Sequence, residues 1–211
     1  DFKGYLQTDG YAGYDWAAER DDITHLGCMA HGRRPFAELV KLAKKTGKSH
    51  QAIAYIKKLY AIEKEAKVRE LSPEARYELR LEKAKPILDD LFKWIEKSLK
   101  TAVPQSKLGM GLNYMHQREE ELCNYLLDGR LEIDNNGAEN KIRPFAIGRK
   151  NWLISGSPRG ADASSFFYSL ISTAMDNGLN PFDYLNYLFN NITQCRADED
   201  YIRLLPHICK L

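Results

Sequence analysis

The feature that most constrains the fold is a change of pattern near residue 44. Before it, strand-like segments at Tyr5–Thr8 and Ile23–Cys28 alternate with helical segments, an order typical of α/β folds. Between about residues 44 and 127, apolar side chains recur only at helical spacing, and we find no strand signal. The sequence therefore predicts a mostly helical protein with an α/β segment at its start.

Turn and cap residues predict where the helices of this long stretch begin. In Leu71-Ser72-Pro73-Glu74, the serine is a favoured N-cap and the proline suits the first helical position. Pro86 is expected to kink or split the helix that follows, because its ring cannot continue the hydrogen-bond ladder. Ser106 is expected to cap a further helix.

The pattern changes again after Gly129. Arg130–Asp134 alternates polar with apolar residues and predicts a strand or extended segment before a cap at Asn135-Asn136-Gly137. We expect a helix over Ala138–Ile147, an extended segment over Asn151–Ser155, and then two closing helices. The second closing helix should begin at Asn180-Pro181.

Composition excludes several classes of protein. Hydrophobic residues make up 44% and charged residues 28% of the 211 residues, which is typical of a folded globular chain and not of a disordered one. No apolar run approaches the roughly 18 residues of a membrane span, and the first residues do not resemble a signal peptide. Four scattered cysteines fit free thiols in a reducing compartment. We expect a cytoplasmic protein.

Two carboxylates, Asp9 and Glu139, are the first candidates for chemistry. Asp9 follows the first predicted strand directly, and Glu139 falls in the first turn of the helix after Asn135-Asn136-Gly137. Phosphoryl transfer by two metal ions needs acidic oxygens of this kind, and Mg²⁺ suits open carboxylate sites. The alternative for Glu139 is an acid favoured by the helix dipole, and for Asp134 a cap or turn residue.

Basic residues without neighbouring acids are the second candidates. The formal net charge of +2 does not by itself indicate a nucleic-acid partner. Residues 140–161, however, contain five cations and no acid, which favours a track for DNA phosphates over a merely solvated face. Two further arginines stand at the start of a helix, where they oppose its dipole and suggest an anionic partner. The candidate DNA-binding residues are Arg33, Arg34, Lys141, Arg143, Arg149, Lys150 and Arg159.

The segment Cys28-Met29-Ala30-His31 has the spacing of half a zinc site. No second pair with close spacing completes it, because His116 with Cys123 and His207 with Cys209 are poor partners. In the alternative interpretation, Cys28 is a small buried residue and His31 anchors the start of a helix.

Several segments together resemble the transposases of the insertion sequence sixty-six family. They are Leu6-Gln7-Thr8-Asp9-Gly10-Tyr11-Ala12-Gly13-Tyr14, Gly27-Cys28-Met29-Ala30-His31-Gly32-Arg33-Arg34-Pro35-Phe36 and Ile133-Asp134-Asn135-Asn136-Gly137-Ala138-Glu139-Asn140-Lys141-Ile142-Arg143-Pro144. Shorter matches follow at Gly148–Trp152, Gly156-Ser157 and Asn177–Pro181, so the resemblance runs in order along nearly the whole chain.

This resemblance implies an RNase H-like core of the DDE class, which cuts transposon ends and joins them to target DNA with Mg²⁺ or Mn²⁺. Asp9 matches the second catalytic aspartate and Glu139 the glutamate, both as metal ligands. Cys28 and His31 match a structural motif near the active site. The implied division is a partial α/β core over 1–43, a helical insertion over 44–127, the rest of the core over 128–160, and a helical segment over 161–211.

The family's first catalytic aspartate should lie on a strand before Asp9, and Asp1 cannot take its place on the same short segment. We therefore expect these residues to be inactive alone, as a fragment of a bacterial, nucleoid-associated transposase. An exposed sheet edge would favour a homodimer. The alternative is a non-catalytic DNA-binding or assembly module from a decayed mobile element.

Overall fold

The structure is a computed structural model that describes residues 2–152 and 155–209. It comprises two compact units, Asp1–Gly137 and Ala138–Leu211. In the first unit the two predicted strands are present. β1 (Gly4–Gln7) pairs in parallel with β2 (Ile23–Leu26), and a 3₁₀ helix over Ala12–Glu19 connects them. Parallel pairing requires such a crossover, so the carboxyl ends of both strands lie at one edge of the sheet.

Helices account for most of the remaining chain, as the sequence predicts. In the first unit they are α1 (Met29–Leu42), α2 (Lys48–Val68), α3 (Pro73–Leu79), α4 (Lys85–Leu99), α5 (Lys107–Gln117) and α6 (Glu119–Cys123). The others are α7 (Asn136–Trp152), α8 (Pro158–Asp176), α9 (Pro181–Ile192) and α10 (Asp198–Arg203). No helix among the described residues has the length and apolar character needed to cross a membrane.

The predicted helix starts are confirmed where a side chain caps the backbone. Ser72 accepts a hydrogen bond from the amide of Ala75, and Ser106 accepts one from the amide of Gly109. Pro86 lies at the start of α4, and a π-helical segment over Arg80–Ala84 joins α3 to α4. The α-helical hydrogen-bond pattern is therefore interrupted next to the proline, while the backbone stays helical from α3 to α4 and is not split.

One hydrophobic core serves both the α/β segment and the helical segment of the first unit. Leu26 from β2 and Phe36 from α1 belong to the same cluster as Ile56, Leu88 and Leu112 from the later helices. All five side chains are at least nine-tenths buried. The helices therefore pack on the strands as part of one unit. The predicted division into a core over 1–43 and 128–160, an insertion over 44–127 and a closing segment over 161–211 stays a prediction.

Arg80 is fully buried in this unit, and its guanidinium group uses all five of its N–H donors. Two of them donate to the carboxylate of Glu63 at 2.9 and 2.8 Å. The others donate to the backbone carbonyls of Tyr125, Asp128 and Leu131 at 2.8, 2.9 and 2.7 Å. This arginine therefore connects α2 with the segment that leads towards α7.

The same network continues to the sheet. Arg76 bonds both Glu63 and the Glu132 carboxylate, and the Glu132 carbonyl accepts a hydrogen bond from the Gln7 side chain at the end of β1. These carbonyls accept hydrogen bonds from side-chain donors in place of a neighbouring strand. Arg130–Asp134 accordingly forms turns and bends, and the predicted strand option there was wrong.

The second unit has a small core formed by Leu170, Ala174, Tyr184, Leu188 and their neighbours from α8 and α9. Asn180 caps α9 as predicted, accepting a hydrogen bond from the amide of Phe182 at 2.9 Å. In α7 the helix continues through Pro144 to Trp152, because an interior proline removes one backbone bond without ending every helix. The predicted extended segment was therefore wrong at residues 151–152, and residues 153–154 lie outside the described residues.

Replacing Arg80 with Met should lower the free energy of unfolding by about 3–5 kcal/mol, because five hydrogen bonds to the buried Glu63 carboxylate and to three carbonyls are lost. Urea denaturation measures this loss. Arg69→Met is the matched control, since Arg69 pairs with Glu65 on the surface and its loss should scarcely move the midpoint. Equal midpoints for the two variants would contradict the structural role assigned to Arg80.

Candidate metal and nucleic-acid site

Asp9 lies just beyond the carboxyl end of β1, where the amide of Thr8 still bonds to the Leu26 carbonyl of β2. The carboxylate is half-buried, and its Oδ1 accepts a hydrogen bond from the amide of Tyr11 at 3.0 Å. Such a turn fixes the rotation of the aspartate side chain. Gly10 has φ +80°, a left-handed conformation that glycine adopts without strain.

Helix α5 and Arg118, the residue directly after it, hold this turn from the other side. The Tyr114 hydroxyl donates to the Asp9 carbonyl at 2.9 Å, and Arg118 donates to the Gly10 carbonyl at 3.0 Å. The Arg118 guanidinium lies 4.7 Å from the centre of the Tyr114 ring. A Cβ atom on Gly10 would lie 2.6 Å from the Tyr114 hydroxyl, so the close approach also requires glycine here.

A chain of buried polar groups supports the same turn from within. The Thr8 hydroxyl and the Nε2 of His25 are 2.8 Å apart, and the Nδ1 of His25 is 3.6 Å from Glu121. Glu121 also lies 3.7 Å from Arg118. The Thr8–His25 contact links the two strands, and Glu121 lies within 4 Å of both His25 and Arg118.

Cys28 and His31 lie at the start of α1, close to the other strand end. Cys28 is fully buried, and this burial raises the pKa of its thiol. Backbone hydrogen bonds to the thiol, including one from Asn135, lower its pKa but only partly offset the effect of burial. The amide of Met29 also bonds to the Ile133 carbonyl at 3.1 Å. The Cys-x-x-His segment therefore packs against the residues that precede α7.

Asp134 is a turn residue, which supports the structural alternative considered for it. Its Oδ1 accepts a hydrogen bond from the Asn136 amide at 3.1 Å, and its Oδ2 accepts one from the Tyr60 hydroxyl at 2.6 Å. Burial, followed by the bond to Asp134, raises the pKa of Tyr60 well above its ordinary range. Tyr60 thus fixes the turn from which α7 begins.

Glu139 lies in the first turn of α7 and is half-buried. It belongs to the second unit, whereas Asp9 belongs to the first. Because the two carboxylates lie in different units, a metal site that they share stays a prediction. Within the described residues, no group of three or more His, Cys, Asp or Glu side chains is placed to hold a metal ion, and this includes the zinc arrangement considered for Cys28 and His31.

Asp9 shares a cavity of about 410 Å³ with two cations, Arg34 and Lys107, and with the acid Glu38, whose carboxylate lies 3.9 Å from the Lys107 ammonium group. Arg34 is exposed on α1 and lies 3.1 Å from the Nε2 of His31, which also lines the cavity. Met110 supplies part of the apolar wall. The structure therefore brings one predicted DNA-binding arginine and one predicted catalytic carboxylate to a common cavity. Arg33, its neighbour, is exposed on the same helix.

The predicted basic track of residues 140–161 lies on α7 and at the start of α8. Arg143 and Arg159 are exposed. Lys141 pairs with Asp176 at the end of α8, an acid distant in sequence that reduces the local positive charge. The side chains of Arg149 and Lys150 lie outside the described residues.

Comparison with known proteins identifies the family. The model described as Transposase IS66 family matches residues 1–163, and the model described as IS66 C-terminal element matches residues 169–207. The chain belongs to the IS66 transposase family. The resemblance predicted from the sequence motifs is therefore confirmed, and it extends over both structural units.

Three similar proteins come from Sinorhizobium fredii. The uncharacterized protein y4hP is 34% identical over 199 residues, covering 87% of this chain and 36% of that protein. The uncharacterized protein y4qI is 34% identical over 212 residues, covering 97% and 39%, and y4jD is 30% identical over 192 residues, covering 87% and 37%. The chain thus spans less than two fifths of the length of these relatives. No solved structure matches it significantly.

Several residues of this IS66-family site were not predicted from the sequence. Tyr114 and Arg118 lie 105 and 108 residues from their partners in the Asp9 turn, and Tyr60 lies 74 residues from Asp134. Each lies in a stretch whose helical periodicity indicates which positions are polar but not which distant residue they contact. For Arg80 the sequence does give an indication. It stands between the apolar Leu79 and Leu81, and a charged residue that is buried at such a position needs a partner.

The stability of the IS66-family chain should fall as pH rises above about 10. The fold raises the pKa of Tyr60 above the ordinary tyrosine value near 10, so it favours the protonated phenol. That stabilisation is fully present below pH 10 and is lost at higher pH. Urea titrations between pH 9 and 11.5 measure the free energy of unfolding. Its decline with rising pH should be smaller in Tyr60→Phe than in the parent. The exposed Tyr201→Phe is the control, and a parent-like decline in Tyr60→Phe would refute the assignment.

Proposed function

We propose that these 211 residues carry the later part of an RNase H-like catalytic core of the DDE class. The reaction is metal-dependent cleavage of transposon ends and transfer of the free 3′-hydroxyl to target DNA. The observation that carries the proposal is the position of Asp9, a half-buried carboxylate held at the carboxyl end of a parallel strand beside the cationic Arg34. Family membership supports the same reaction class.

The chemical nature of the donors fits divalent cations. Asp9 and Glu139 offer the carboxylate oxygens that Mg²⁺ and Mn²⁺ favour, and the turn at Asp9 already fixes one such group. Bound ions would supply activation of the attacking oxygen and charge stabilisation at the leaving oxygen. Asp9 and Glu139 are thus the proposed catalytic residues and metal ligands.

The cations near Asp9 have a separate proposed role. Arg34 and Lys107 bind backbone phosphates of the DNA end, so that the scissile phosphate is held at the cavity. Arg33, Arg143, Arg149, Lys150 and Arg159 extend this contact along the DNA, together with Lys141 when phosphate replaces Asp176.

The helical stretch over residues 44–127 is proposed to be an insertion in the catalytic core, and residues 161–211 a closing helical segment. Support comes from α5, which lies in that stretch and returns to bond the Asp9 turn. Two of the three DDE carboxylates are assigned here, so we expect no strand transfer by these residues alone. Homodimer formation through the edge of β1 stays a prediction.

Metal binding tests the carboxylate assignment directly. Asp9→Asn and Glu139→Gln should each weaken Mn²⁺ binding at least tenfold, because each removes a charged oxygen ligand. Electron paramagnetic resonance of free Mn²⁺ measures the affinity. Glu120→Gln, an exposed acid on α6, is the control. Equal affinity in all variants would contradict the metal site, and strand transfer by the 211 residues would contradict the expected inactivity.

DNA binding tests the cationic role. The Arg33→Ala/Arg34→Ala double variant should bind duplex DNA more weakly, and the negative slope of log affinity against log salt should become shallower by about 2 because two phosphate contacts are lost. Fluorescence anisotropy at several salt concentrations provides both values. The control is Lys83→Ala/Lys85→Ala, whose lysines pair with Glu65 and Asp89.

An unchanged salt slope in the arginine variant would rule out this DNA contact. DNA binding by the unmodified chain without any binding of Mn²⁺ would instead favour the alternative, a non-catalytic DNA-binding or assembly module.

A further inference from the structure

We propose that Tyr114 on α5 and Arg118, the residue directly after that helix, are positioning residues for the Asp9 carboxylate. They hold the Asp9-Gly10 turn by its two consecutive carbonyls, so the helical stretch sets the direction in which Asp9 points. The inference rests on the proposed function of Asp9 as a metal ligand, and it adds a role for residues that do not themselves bind metal.

The contacts act on the two peptide groups that flank the Cα of Gly10. Tyr114 fixes the carbonyl of the Asp9–Gly10 peptide and Arg118 fixes that of the Gly10–Tyr11 peptide, so rotation about φ and ψ of Gly10 is restrained. Gly10 needs this restraint because its φ of +80° lies in a region where glycine has several accessible conformations. The amide of Tyr11, next in sequence, then meets Oδ1 of Asp9 at 3.0 Å.

Arg118 is itself held before any ligand binds. Its guanidinium lies over the Tyr114 ring and 3.7 Å from Glu121, a carboxylate that also approaches His25 of β2. The backbone of Glu121 accepts a hydrogen bond from the amide of Gly27 at 2.9 Å. The restraint therefore comes from groups already ordered by the sheet, as efficient positioning requires.

Gly10 also leaves no room for the turn to relax. A Cβ atom there would lie 2.6 Å from the Tyr114 hydroxyl and 2.8 Å from Nε of Arg118. The turn and the two side chains thus form one closely packed arrangement, in which removing a hydroxyl leaves the peptide bond less restrained without changing the packing of the ring.

The test compares Tyr114→Phe with Tyr125→Phe. The first removes the hydroxyl that bonds Asp9 and keeps the ring under Arg118. The second removes a buried hydroxyl with no hydrogen-bond partner among the described groups, and it keeps the ring beside Arg80. Both variants lose one oxygen from a tyrosine of the same unit, which makes them a matched pair.

Two measurements are made on the 211-residue protein. Amide hydrogen exchange of Tyr11, followed by NMR after ¹⁵N-tyrosine labelling, reports the turn whether or not metal binds. The Mn²⁺ dissociation constant, measured by electron paramagnetic resonance, reports the carboxylate. In Tyr114→Phe we expect faster Tyr11 exchange and about tenfold weaker Mn²⁺ binding. Tyr125→Phe should match the parent in both, and Arg118→Lys, which keeps the charge but shortens the reach, should resemble Tyr114→Phe.

Parent-like Tyr11 exchange in Tyr114→Phe and Arg118→Lys would overturn the positioning role, as would equal losses in Tyr125→Phe. Failure of the proposed function is separate from this result. It would appear as Mn²⁺ binding that Asp9→Asn leaves unchanged, while Tyr11 exchange would still decide whether α5 restrains the turn.

Discussion

The buried guanidinium of Arg80 is the interaction on which the first unit depends. A charge without water is tolerated only when every donor is satisfied, and here one carboxylate and three backbone carbonyls satisfy it. The carbonyls belong to the segment between α6 and α7. By bonding them, Arg80 fixes the course of the backbone from the 3₁₀ helix over Asn124–Leu127 through the turns that follow it, as far as the Asp134 turn.

The helical stretch is consequently part of the candidate site and not an appendage to it. Tyr60 of α2 fixes the side chain of Asp134, and Tyr114 of α5 with Arg118, the next residue after that helix, fixes the turn of Asp9. The Asp9 and Asp134 turns are thus each held from the middle of the chain. A change in α2 or α5 should therefore reach these turns through hydrogen bonds, to the backbone at Asp9 and to the side chain at Asp134.

The sequence predicted what depends on neighbouring residues. Asp9-Gly10 ends a strand and Ser72, Ser106 and Asn180 begin helices, because each effect acts within three or four residues. It could not predict contacts across 100 residues, since a polar residue on a helix gives no indication of its partner. Lys141 shows the same limit: its segment contains no acid, yet Asp176, 35 residues later, pairs with it.

The π-helical segment over Arg80–Ala84 has a consequence for the side chains that α3 presents to α2. A π turn holds one more residue than an α turn, so α3 and α4 do not have the phase that one continuous α-helix would give them. If the same residues formed an ordinary α-helix, α3 would be rotated by about 100° relative to α4. Arg76 would then face away from Glu63, so the π turn keeps the hydrogen bond between these two side chains within reach.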